Sequence, residues 1–149
     1  MFAPVRGQGQ RHRDLEAEVA NQHVMSDGEA TVRSLRLHMK HDPPLVTIAI
    51  PAYNHGRYLD QALRSVLDQD YPQVELIVLD DGSTDNTHEV LARWGSRFFW
   101  EIQENMGQAG TLNKAWSMAQ GQILSYLSAD DTLRPGCVRA AVDVLEACP

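Results

Sequence analysis

From residue 45 onward, short unbroken apolar runs alternate with segments whose apolar residues recur every three to four positions. The runs predict strands and the periodic segments predict helices. LVTIAI (45–50) is apolar and rich in β-branched residues, so a strand. RYLDQALRSVLDQ (57–69) sets Leu59, Ala62, Leu63, Val66 and Leu67 at helical spacing, and Tyr71-Pro72 closes it. VELIVLD (74–80) predicts a second strand. Thr84-Asp85-Asn86-Thr87 supplies N-cap candidates for HEVLARW (88–94), which carries Val90, Leu91 and Trp94 on one face. RFFWEIQ (97–103) predicts a third strand, TLNKAWSMAQ (111–120) a third helix and QILSYLS (122–128) a fourth strand. Arg134-Pro135-Gly136 opens a last helix with Val138, Ala141, Val142 and Leu145 apolar.

This β-α-β-α-β-α-β-α order predicts an α/β fold, a Rossmann-like and mostly parallel sheet with helices on both faces. In such folds ligands bind outside the carboxyl ends of the strands. The segments that follow the strands should therefore gather on one rim: Pro51 to Asn54, Asp80 to Ser83, Asn105 to Gly110, and Asp130-Asp131.

Upstream the pattern fades. Residues 1–41 are polar, with only a weak, interrupted helical period through Leu15, Val19, Val24, Val32, Leu35 and Met39. Asp42-Pro43-Pro44 marks a boundary, since paired prolines halt regular structure. The expected organisation is a polar extension over residues 1–43, weakly helical or flexible, and a domain over residues 44–149. His12, His23 and His38 share no metal-ligand spacing.

Composition changes this picture in three ways. The formal net charge of −7 argues against a general nucleic-acid surface, which needs a basic footprint. Two cysteines, Cys137 and Cys148, are too few for a disulfide framework and suit a reducing compartment. No secretory signal and no apolar run of membrane-spanning length occurs, so the chain reads as cytoplasmic, with the inner face of a membrane as a peripheral alternative.

The chemistry lies in the acids. Two strand-like runs end in carboxylate pairs, Asp80-Asp81 and Asp130-Asp131. Neighbouring ionised carboxylates repel unless a cation or proton lies between them. A divalent cation such as Mg²⁺ takes one or two protein carboxylates and completes its shell with waters and substrate phosphates. Gly107-Gln108-Ala109-Gly110, between a strand and a helix, is either a phosphate-approaching loop or an ordinary glycine-rich turn. Tyr53 can stack on a base or simply pack. Lys114 can reach a phosphate or stay solvated. Asp81-Gly82-Ser83 can be plain turn chemistry, and Asp130 or Asp131 can cap the last helix. Neither a P-loop nor a G-x-G-x-x-G fingerprint follows any strand.

Taken in order, PAYN, the strand ending in DDGS, the N-x-G-x-x-G loop and the strand ending in ADD resemble a family 2 glycosyltransferase of the GT-A fold. The likeness covers roughly residues 45 to 147. It implies that Pro51, Ala52 and Tyr53 line a base pocket. Asp81, supported by Asp80, would bond the base, and Lys114 is a candidate phosphate contact. Asp130 and Asp131 would hold Mg²⁺ or Mn²⁺, with Asp130 also near the ribose. Ser128 stands where many members carry an acid. The donor implied is a nucleotide-diphospho-sugar, the acceptor an undefined glycan, lipid or small molecule, and the reaction a metal-assisted, inverting hexosyl transfer. Members of this kind are longer, so the chain is expected to be truncated at the C-terminus, with no general base to assign. The alternatives are a nucleotide-sugar-binding module without turnover and, less well matched, a receiver-like signalling domain.

Overall fold

In the computed structural model, residues 42–148 are described. The chain divides into two units, Met1–Lys40 and His41–Pro149, and these residues all belong to the second. The expectations for residues 1–41 lie outside the described residues.

Four strands and four helices alternate: β1 (Val46–Ala52), α1 (Gly56–Leu67), β2 (Val74–Asp80), α2 (Thr87–Trp94), β3 (Phe99–Ile102), α3 (Gly107–Met118), β4 (Ile123–Tyr126) and α4 (Cys137–Ala147). All three strand pairings are parallel, in the order β3-β2-β1-β4. β1 and β2 are central and almost wholly buried, which explains their apolar runs, Ile48 to Ala52 and Leu76 to Leu79. β3 and β4 are edges of four residues each, shorter than the runs at 97–103 and 122–128 suggest. A strand with one neighbour loses its pairing where that neighbour diverges.

The period-2 alternation of side chains divides the core into two layers. On one face, Val46, Ile48, Ile50, Leu76 and Val78 pack against α1, α2 and α4 through Leu59, Leu63, Val90, Leu91, Val138 and Val142. On the other, Ala49, Ile77 and Leu79 pack against Leu112 and Ala115 of α3. Helices thus cover both faces, as the sequence pattern requires. The third helix starts four residues earlier than expected: Gly107 to Gly110 form its first turn and not a loop. No helix among the described residues is long and apolar enough to cross a membrane.

The strand order fixes where a ligand can go. From β1 the chain steps outward through β2 to β3, then returns to the far side of β1 as β4. Connections leave opposite faces around β1, which opens a crevice beyond its carboxyl end.

Candidate functional site: a cleft beyond β1, β2 and β4

A cavity of about 290 Å³ opens at that place, lined by Pro51, Ala52, Tyr53, His55, Asp81, Asn105, Gly107, Gln108 and Ser128. Four of the expected residues, Pro51, Ala52, Tyr53 and Asp81, therefore share one cleft. Tyr53 is 47% exposed at its mouth, a position that suits stacking better than packing.

Asp80 and Asp81 are adjacent in sequence but do not confront each other. Both are buried; Asp80 is the last residue of β2, and Asp81, whose N–H donates to the Ala52 carbonyl at 2.8 Å, continues its alternation one position beyond, so the two turn apart. Asp80 Oδ1 accepts the Ser83 N–H at 2.9 Å and closes the turn; its Oδ2 is buried and has no partner among the described residues. Asp81 Oδ1 accepts the Met106 N–H at 2.8 Å and the Gln103 Nε2–H at 2.8 Å. Burial pushes the pKa of the Asp81 carboxyl up, but hydrogen bonds from Met106, Gln103, Thr111 and Gly107 outweigh it and hold the group below the usual carboxylate range. Backbone and amide N–H groups, and no cation, engage Asp80 Oδ1 and Asp81 Oδ1. Asp80 shapes the turn and does not line the cleft.

The same contacts correct the reading of the glycine-rich segment. The N-terminus of α3 already holds an anion, the Asp81 carboxylate, and the Gly107 N–H also donates to Asn105 Oδ1 at 3.2 Å. Gly107 sits at φ +72°, a left-handed conformation that lets the chain turn from β3 into α3 beside Asp81. Asn105 locks the corner by donating from Nδ2 to the Asp81 carbonyl at 2.9 Å.

The second acid pair is built differently. Asp130 and Asp131 are exposed. Asp130 Oδ1 accepts the Ser128 hydroxyl at 2.7 Å, and Oδ2 lies 3.8 Å from His55 Nε2. The Ser128 hydroxyl, the backbone N–H of Asp130 and nearby His55 together keep this carboxyl below the usual range. Neither acid caps α4, whose N-cap is Gly136 with no side-chain hydrogen bond. Asp131 donates its N–H to the Ser128 carbonyl at 3.0 Å and leaves its side chain outside. Among the described residues no group of three or more His, Cys, Asp or Glu side chains gathers to enclose a metal. One or two open carboxylates are still a donor set that suits a hard cation shared with ligand phosphates.

Lys114 is not in the cleft. Its Nζ bonds Glu101 Oε1 of β3 at 2.8 Å, a partly buried pair that ties α3 to the sheet edge. Lys114, in the second turn of α3, faces the sheet edge and meets an acid of β3 there.

His55 was not anticipated from sequence. It is the N-cap of α1, its N–H donates to Thr87 Oγ1 at 3.1 Å, and its carbonyl accepts the N–H groups of Tyr58 and Leu59. Around it the loops after β1 and β2 are clamped together. Asn54, at φ +56°, accepts the Thr84 and Asp85 N–H groups through Oδ1 and donates its own N–H to Ser83 Oγ. Asp85 caps two helices at once: Oδ1 accepts the Thr87 N–H of α2 at 2.9 Å, and Oδ2 the Gly56 N–H of α1 at 3.0 Å. The only legible signal for this clamp was the run of cap-forming residues at 84–87.

A doubly wound parallel sheet with an open, Asp81-lined cleft at its switch point defines the class: an α/β domain with its candidate site at the strand ends. Comparison makes it specific. The model of Glycosyl transferase family 2 matches residues 47–149, and the chain belongs to that family. An uncharacterized glycosyltransferase of Nostoc sp. (strain PCC 7120) is 34% identical over 105 residues, covering 68% of this chain and 33% of the relative. Among solved structures, the mannosyltransferase PcManGT from Pyrobaculum calidifontis, in complex with GDP-Man and Mn²⁺, is 28% identical with a TM-score of 0.60, over 79% of this chain and 39% of that one. S. aureus TarS 1-349 shares the fold at 24% identity and a TM-score of 0.62, over 69% of this chain and 32% of that one; it has also been solved with UDP-GlcNAc. The fold is the GT-A type, and the chain spans about a third of the length of these proteins.

Proposed function

We propose that this chain is the donor-binding part of a glycosyltransferase that takes a nucleotide-diphospho-sugar and passes its sugar to an acceptor hydroxyl. The observation that carries this is Asp81: a buried carboxylate, fixed by N–H donors behind it, forms part of the lining of an open cleft whose mouth holds Tyr53. The base would lie against Pro51, Ala52 and Tyr53, with its N–H donors meeting Asp81. Preorganised donors around Asp81 mean that no side chain must reorder when a nucleotide arrives. Two of the matched proteins were solved with nucleotide sugars, which supports this donor class.

Asp130 and Asp131 would hold Mn²⁺ or Mg²⁺ together with the diphosphate. A divalent cation held there would supply positive charge against the negative charge that develops on the leaving nucleoside diphosphate. Ser128 and His55 orient the Asp130 carboxylate toward the cleft, and Asp131 remains open beside it. In the transfer, the acceptor oxygen bonds to the anomeric carbon while the bond from that carbon to the diphosphate oxygen breaks. The acceptor proton passes to a base to which no residue is assigned.

Binding without transfer is the second reading. It is favoured by the lining of the cleft, where the carboxylate, Asp81, is engaged by its hydrogen bonds and is unsuited to take a proton from an acceptor. Calorimetry with UDP and GDP, each with and without Mn²⁺, tests donor binding. Nucleoside diphosphate release from UDP- and GDP-sugars in the presence of acceptors then separates transfer from binding alone. Absence of nucleotide binding in both metal states removes both readings.

A further inference from the structure

A second polar cavity, of about 340 Å³, lies away from the donor cleft and is lined by Asp60, Arg64, Arg93, Trp94 and Arg97. None of these residues lines the cleft. Asp60 and Arg64 belong to α1, Arg93 and Trp94 end α2, and Arg97 precedes β3. The site therefore sits on the outer face of the α1–α2 layer. Trp94, Arg97 and the end of α2 lie toward the amino ends of the strands, whereas the donor cleft is at their carboxyl ends.

Three guanidinium groups meet one carboxylate here, in a chain of net charge −7. The carboxylate is fully engaged: Asp60 Oδ2 accepts Arg64 Nε–H at 2.8 Å and Oδ1 accepts Trp94 Nε1–H at 3.1 Å. Arg64 and Arg97 both stand over the Trp94 ring, each Cζ 5.3 Å from its centroid. The indole thus fixes two long side chains that would otherwise lose rotamer freedom on binding. Arg93 and Arg97 form no ion pair among the described residues. A cation in the last turn of a helix compensates the helix dipole, which accounts for Arg64 in α1 and Arg93 in α2 but not for Arg97, beyond Gly95. Like charges held together in this way favour an anion between them.

We propose that Arg64, Arg93 and Arg97, organised by Trp94, form a binding site for a phosphate group. Guanidinium forks match tetrahedral oxyanions, and a dianion neutralises the two arginines that Asp60 leaves uncompensated. The phosphate comes either from a soluble phosphate compound or from an anionic lipid headgroup, and the site's chemistry is the same for both.

The 149-residue chain is titrated calorimetrically with inorganic pyrophosphate, and separately co-sedimented with vesicles of phosphatidylglycerol or of phosphatidylcholine. Saturable pyrophosphate binding identifies a soluble source. Sedimentation with phosphatidylglycerol but not phosphatidylcholine identifies a headgroup. In either case the double variant R93Q/R97Q should bind more than about tenfold more weakly, with an unchanged melting temperature and unchanged affinity for UDP or GDP in the cleft. R139Q, an arginine paired with Asp70 elsewhere, should bind as the parent does. The proposal is overturned if the parent binds neither pyrophosphate nor phosphatidylglycerol vesicles, if R93Q/R97Q binds as tightly as the parent, or if R139Q weakens binding equally. Failure of UDP and GDP to bind would sink the donor-cleft reading and leave this one standing.

Discussion

The two acid pairs look alike in sequence and are opposites in structure. Asp80-Asp81 ends a central strand, is buried, and is wired to Ser83, Gln103 and Met106. Asp130-Asp131 follows an edge strand and is exposed, with only Ser128 and His55 beside Asp130. A buried charge must be satisfied by the protein itself, because it cannot wait for a ligand. An exposed pair can stay open, since water solvates it. The first pair is held by the protein's own donors and the second is left open to solvent, a difference that follows strand position.

This contrast can be broken experimentally. The largest effect is expected for Asp81→Ala. It strands the Met106 N–H and the Gln103 amide, and should cost roughly 3 kcal/mol of stability as well as nucleotide affinity. Urea unfolding that is unchanged in this variant would show that the first pair is not a structural anchor.

Next comes Asp81→Asn, which keeps the shape but removes the charge. Nucleotide affinity should fall about ten- to hundredfold, for a loss of about 1.5–3 kcal/mol. Calorimetry with UDP and GDP checks it, and unaltered affinity would place the base elsewhere.

Acid sharpens the contrast further. The Asp81 carboxyl is held below its ordinary range in the folded state, so its stabilising contribution is fully present above the unfolded value of about 4 and is lost as pH falls through the folded value. Unfolding free energies measured down through this window should decline in the parent and decline less in Asp81→Asn. Parallel curves for the two would contradict the assignment.

The smallest effect on the fold is expected for Asp131→Asn: melting within about 0.5 kcal/mol of the parent, as for surface substitutions generally. Nucleotide affinity without metal should be intact, while the enhancement by Mn²⁺ is reduced. A clear loss of stability would mean that the second pair is structural after all.

Much of the fold was legible. β2 begins and ends where its sequence pattern does, because a strand covered on both faces carries a near-continuous apolar run, here Leu76 to Leu79. The GT-A class and four lining residues of the cleft were also readable. The start of α3 was not, because glycines argue against helix and only the tertiary contact between Asp81 and the Met106 N–H overrides them. Opposed directions for Asp80 and Asp81 were available from the period of two, but the repulsion argument treated them as facing charges. Lys114 was misplaced because its partner, Glu101, lies on a different element, and spacing along a chain does not reveal contacts across layers. His55 carried no signal of its own; its placement depends on the left-handed turn at Asn54.

The pairing of β1 with β4 has a consequence for synthesis. Val46 meets Ile123, whereas β1 and β2 join through a single intervening helix. As the chain leaves the ribosome, β1, β2 and β3 can assemble in order of appearance, but one margin of β1 stays unpaired until residues 123–126 emerge. Throughout that interval the backbone of Val46 to Ala49 is open to any passing strand, and closure across so long a loop is slow relative to local pairing. Release of a chain shorter than Ile123 would leave the most buried strand of the molecule as its most adhesive edge.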